Sequence, residues 1–142
     1  MDRVFLDANV LFAAAWRPKA ALQRLWELDD AELLSSGYAI EEARRNLESP
    51  AQRARLTRLL RRVRLVGPEH FMLPRGIHLP EKDLPILLAA IDGGATHLLT
   101  GDREHFGRYF RQEIGGVLIL PPAEYPPVIL IKVNHARRLP AV

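Results

Sequence analysis

Cysteine is absent from the 142 residues. Disulfides, thiolate metal centres, iron–sulfur clusters and cysteine nucleophiles are therefore excluded, and any metal must be held by oxygen or imidazole. No apolar run approaches the roughly 18 residues a membrane span requires. The amino terminus, Met1-Asp2-Arg3-Val4, carries an acid and lacks the pattern of a secretory leader, so a cytoplasmic location with no membrane partner is expected. Internal repeats and low-complexity tracts are missing as well. What is present is an ordinary globular composition, 48% hydrophobic and 26% charged. It suits one domain over 1–142, with a core over about 3–120 and an extra strand and tail over 121–142. Lysine is scarce: 17 of the 20 cationic residues are arginine, and eight of these lie from Arg44 to Arg64, where the one acid is Glu48. That stretch is a candidate surface for phosphates, to which arginine's planar fork is suited, with a solvated helix face as the competing reading.

Periodicity places an aliphatic strand at Arg3 to Leu6 that ends at Asp7-Ala8-Asn9, where a helical pattern begins. Pro18 is expected to open a second helix with Ala21, Leu22, Leu25, Trp26 and Leu28 on one side, and both Trp16 and Trp26 read as core rather than as base-stacking platforms. A strand over 32–35 and amphipathic helices from Tyr38 to Leu47 and after Ser49-Pro50 follow, with a short strand over 64–66. Beyond a turn-rich connection over 67–82, a nearly all-apolar helix opens at Asp83 and stops at Gly93-Gly94. His97 to Thr100 then forms a strand that runs into Gly101-Asp102; further strands are expected at 117–120 and 128–133. Strands alternating with helices predict an α/β sandwich around a mostly parallel sheet.

The carboxylates fall at informative places. Asp7 and Asp102 each follow an aliphatic strand, and Asp83 opens the apolar helix. Residues beyond the carboxyl ends of parallel strands converge in space although distant in sequence. A fourth acid is offered by Glu41 or Glu42. Glu41 shares an outward stripe with Arg45, whereas Glu42 borders the apolar face at Ala39 and is the preferred of the two. Each aspartate taken alone is also what a helix cap looks like. Taken together, four clustered carboxylates require a neutralising cation, and all-oxygen ligation suits Mg2+ or Mn2+.

Four segments, Val4 to Leu11, Ile40 to Leu47, Asp83 to Ala90 and Leu98 to Phe106, together resemble the PIN-domain ribonucleases, which include the VapC-like toxins of prokaryotic toxin–antitoxin pairs. The resemblance spans roughly Val4 to Leu120. It implies a three-layer α/β/α fold and a nuclease centre of Asp7, Glu42, Asp83 and Asp102 around one or two divalent ions, with Asn9 and Thr100 in supporting roles. It further implies RNA as substrate, an antitoxin protein as candidate partner and a homodimer. Arg44, Arg45, Arg53, Arg58, Arg61 and Arg62 become candidates for holding the RNA backbone, with an acidic partner segment as the alternative for Arg61 and Arg62. His105 reads as a helix-surface residue.

Two other classes compete. A non-catalytic module of the same fold would bind RNA or protein without needing all four acids, which are present. A haloacid-dehalogenase-type phosphotransfer enzyme wants an acid two residues after the first, and Asn9 stands there. Zinc hydrolysis is poorly served, since the five histidines form no helical ligand pair.

Overall fold

The computed structural model describes residues 1–67 and 73–127. The strand expected at 128–133 and the tail lie outside the described residues, as does part of the turn-rich connection. Six strands form one sheet: β1 (Asp2–Leu6), β2 (Ala31–Ser35), β3 (Val63–Leu65), β4 (His97–Leu99), β5 (Glu113–Ile114) and β6 (Val117–Leu120). Their order is β3-β2-β1-β4-β6-β5, and every neighbouring pair is parallel except β5 with β6. Five α-helices connect them: α1 (Ala8–Ala15), α2 (Gly37–Asn46), α3 (Pro50–Leu60), α4 (Leu84–Asp92) and the single turn α5 (Arg103–Phe106).

Val4, Phe5 and Leu6 are all fully buried. Successive strand residues point to opposite faces, so a run of buried neighbours means that both faces of the sheet are covered, the signature of a parallel sheet between two layers. The α/β architecture therefore matches the expectation. In register, Leu6 stands opposite Leu99, so the residues that leave the two strands, Asp7 and Thr100, emerge side by side at the carboxyl edge. This is also where the sheet order reverses, since β2 and β3 build outward from one side of β1 and β4 from the other.

Local chemistry explains most helix starts. Ser36 accepts the Ala39 N–H at the head of α2. At α3, the Ser49 hydroxyl and the Gln52 side chain satisfy each other's backbone N–H groups, with Pro50 just inside. Between β5 and β6, Gly115 and Gly116 both adopt positive φ, and a Cβ on Gly115 would stand 2.8 Å from Ile91 Cδ1.

Two expectations are corrected. The helix expected after Pro18 is instead a 3-10 helix over Ala21–Glu27. The Gln23 amide side chain donates to the carbonyls of Ala14 and Arg17, folding this segment tightly onto the end of α1, where the narrower helix fits. Trp26 is buried and donates its indole N–H to Leu59 O, as a core residue should, whereas Trp16 is 39% exposed at the end of α1. Two tyrosines tie outlying segments to the core. The buried Tyr125 donates its hydroxyl to Asp2, and the Tyr109 hydroxyl both accepts the His78 N–H and donates to the His78 carbonyl. Among the described residues no helix is long and apolar enough to cross a membrane.

Candidate active site

Asp7 ends β1 and begins α1. Its Oδ1 accepts the Ala8 N–H at 2.6 Å, and its Oδ2 accepts the Thr100 hydroxyl at 2.8 Å and the Asn9 amide at 3.1 Å. Asn9 Oδ1 in turn accepts the Gly101 N–H at 2.7 Å. A Cβ at Gly101 would lie 3.3 Å from that oxygen, so glycine permits the close approach. The Thr100 hydroxyl also accepts the Asp102 N–H at 3.1 Å. Asp7, Asn9, Thr100 and the Gly101–Asp102 backbone thus form one hydrogen-bonded lattice across the β1/β4 edge. Burial pushes the Asp7 carboxyl up to about 6, against the opposing hydrogen bonds from Thr100 and Ala8, and the charges of Glu42 and Asp83 add to the rise.

Asp83 ends a 3-10 turn over Glu81–Asp83 at the head of α4. It makes no side-chain cap bond to its helix, so capping does not account for it. Its carboxylate is directed instead at His105, whose Nδ1 lies 2.9 Å from Asp83 Oδ2 and 2.9 Å from Asp102 Oδ2. Asp102 uses its other oxygen, Oδ1, to accept the His105 N–H at the head of α5. Burial raises the Asp83 pKa, partly offset by His105, and the nearby Asp102 charge raises it further. His105 is thus corrected from a helix-surface residue to a member of the acid cluster. The signal was present in the three-residue spacing from Asp102, which puts both on one side of a helical turn; the approach of Asp83 is tertiary.

Of these groups Asp7, Asn9, Asp83, Gly101 and Asp102 line one open cavity of about 900 Å³ together with Glu42, whereas Thr100 and His105 are not among its lining residues. Glu42 reaches it from α2, while Glu41 is exposed and is not among the lining residues. Lys82 and Arg103 are the cations on its wall, and no pattern in the sequence marks either. None of Arg44, Arg45, Arg53, Arg58, Arg61 and Arg62 lines it. Arg53 donates to Leu47 O and Arg62 to Trp26 O, so these two hold neighbouring elements together.

Fit to a divalent cation can be judged from the donors. Asp83, Asp102 and His105 each offer a ligand atom within 4.8 Å of the others. Asp83 Oδ2 and His105 Nδ1 are buried, and neither is aligned for a hydrogen bond despite their proximity. Buried polar atoms without a bond are costly, and a cation would satisfy them. The set fits, with one difference from the expectation: the tightest group contains an imidazole, while Asp7 and Glu42 line the same cavity without joining that group.

Among known proteins, no family model matches the chain, and no curated protein does. Solved structures do. A chain of VapBC2 from Rickettsia felis, bound to a DNA fragment from their promoter, superposes with TM-score 0.60 at 16% identity, covering 84% of this chain and 98% of that one. VapBC-1 from nontypeable Haemophilus influenzae matches with TM-score 0.52 at 17% identity, covering 86% and 99%. FitAB bound to an IR36 DNA fragment matches with TM-score 0.50 at 17% identity, covering 84% and 94%. At these identities the likeness is one of fold, and this protein has the α/β fold of those chains.

Proposed function

We propose that this protein is a metal-dependent endoribonuclease, acting as the toxin of a prokaryotic toxin–antitoxin pair. The observation that carries the reading is the convergence of carboxylates from four separate segments, Asp7, Glu42, Asp83 and Asp102, on one cavity at the β1/β4 edge. Sharing a fold with VapBC and FitAB chains supports the biological setting and an antitoxin as partner.

In this reading Asp83, Asp102 and His105, with Asp7 beside them, would hold one or two divalent ions, Mg2+ or Mn2+. Such ions make a bound water acidic, neutralise the phosphate and stabilise the leaving 3′ oxygen. The chain's own residues do the positioning. Thr100 and Asn9 fix the Asp7 carboxylate in one orientation. Glu42, whose side chain makes no hydrogen bond among the described residues, orients the attacking water. Lys82 and Arg103 receive the phosphodiester oxygens. Arg58 and Arg61, exposed at the end of helix α3 and outside the cavity, act on more distant phosphates. A homodimer in the cytoplasm remains the expected working form.

The test is cleavage of RNA by purified protein with Mg2+ or Mn2+. Cleavage should vanish in EDTA and fall by about a hundredfold or more in Asp7→Asn. Bound but intact RNA under all metal conditions would make the protein a non-catalytic binding module instead.

A further inference from the structure

A smaller groove of about 360 Å³ adjoins the acidic cavity at the carboxyl end of α1. Phe12, Ala13 and Leu22 belong to both depressions, so the two are continuous. At its far end stand Trp16 and Arg17. We propose that this groove is a stacking subsite, in which Trp16 receives a base of single-stranded RNA next to the phosphate held in the acidic cavity. The proposal rests on the ribonuclease reading and specifies how its substrate is seated.

Trp16 is built as a platform. Its ring leans on Phe12, with centroids 5.1 Å apart and planes at 36°, and it keeps substantial exposure. Its backbone is pinned, because Gln52 Nε2 donates to Trp16 O and Gln23 Nε2 donates to Arg17 O. A ring supported on one side and positioned in advance loses little freedom when a ligand covers it. Met1, Tyr38 and Leu65 are the other large apolar side chains exposed among the described residues, and none of them lines this groove. Charge selects the occupant. Arg17 lines the groove and Lys19 is exposed just beyond, so phosphates flanking a stacked base find partners, whereas an apolar protein segment would bring nothing to pair with them. Stacking depends on the face of a base more than on its edge, so the subsite tolerates any base.

The experiment uses the whole protein with a short single-stranded oligoadenylate in Ca2+, which screens the carboxylates through oxygen ligation, the RNA being checked on a gel for integrity. An abasic ribose-phosphate oligomer of equal length serves as control. Oligoadenylate should quench tryptophan emission and the abasic oligomer should not. Trp16→Phe should abolish the quench and keep affinity, the buried Trp26 supplying the residual emission. Trp16→Ala should weaken binding by about five- to a hundredfold. Failure of the RNA to bind, binding without quenching, or unchanged affinity in Trp16→Ala overturns the proposal, as does quenching by an apolar peptide in place of RNA. The two readings separate: metal-dependent cleavage indifferent to Trp16 sinks the subsite alone, and base-dependent quenching without cleavage under Mg2+ or Mn2+ sinks the ribonuclease reading alone.

Discussion

Asp7 stands between opposing demands. Removal from water makes its charge costly, while the Ala8 N–H, Asn9 and Thr100 favour keeping it. Burial prevails, and a folded-state pKa of about 6 against 3.8 corresponds to about 3 kcal/mol. Because the folded value is the higher one, protonated Asp7 favours the fold at low pH, and this contribution is lost as pH rises from about 4 through 6. In metal-free buffer, the stability of Asp7→Asn relative to wild type should therefore climb by about 2 kcal/mol between pH 4 and pH 7. Urea unfolding at several pH values reads that slope, and the constant offset from the altered hydrogen bonds drops out; a flat difference would refute it. The aspartates were legible in the sequence because strand ends and helix starts are local features. Capping does not use up these carboxylates, since Asp7 and Asp102 each commit one oxygen to a backbone N–H and turn the other toward neighbouring side chains. His105 was not legible in the same way, because its second carboxylate neighbour arrives from a connection whose path no periodicity encodes.

At the scale of elements, helix α3 and the turn that follows it show how a run of arginine divides its labour. Arg53, Arg55 and Arg62 donate to the carbonyls of Leu47, Ala15 and Trp26, which fastens the helix to its surroundings. Arg58 and Arg61 are exposed, and no side-chain bond engages them among the described residues. Reversing both, Arg58→Glu with Arg61→Glu, should weaken RNA binding and reduce the slope of log affinity against log salt by about 1.4. Thermal stability should stay close to wild type, while Arg62→Ala should lose about 1 kcal/mol. An unchanged salt slope would mark the face as merely solvated. The amphipathic helices were readable because their apolar residues recur at helical spacing. The segment over 21–27 departs from the expected helix because Leu22, Leu25 and Trp26 satisfy the spacing of a wide or a narrow helix alike. Strand β5 was invisible, being two residues held by the glycine turn and by β6 rather than by any propensity of its own.

For the molecule as a whole, carboxylates crowded at one edge would link folding to the binding of a cation. A ligand that binds only the folded state stabilises it by about 2.7 kcal/mol at a hundred times its dissociation constant. Saturating Mn2+ should raise the melting temperature by on the order of 5–10 °C, EDTA should reverse the shift, and Asp102→Asn should abolish most of it. Calorimetry with and without the metal decides the matter, and an unresponsive melting temperature would argue against a cation site. The alternation of strands and helices disclosed the layered sheet from composition and spacing alone. What it withheld was the pairing of β1 with β4, a neighbour more than ninety positions away, which is what brings Asp7 and Thr100 together. The Tyr109 hydroxyl, doubly bonded to the peptide unit of His78, has a consequence of the same kind. It moors the arm bearing Asp83 to the very stretch that follows Asp102 and His105, so the two banks of the cleft share one anchorage.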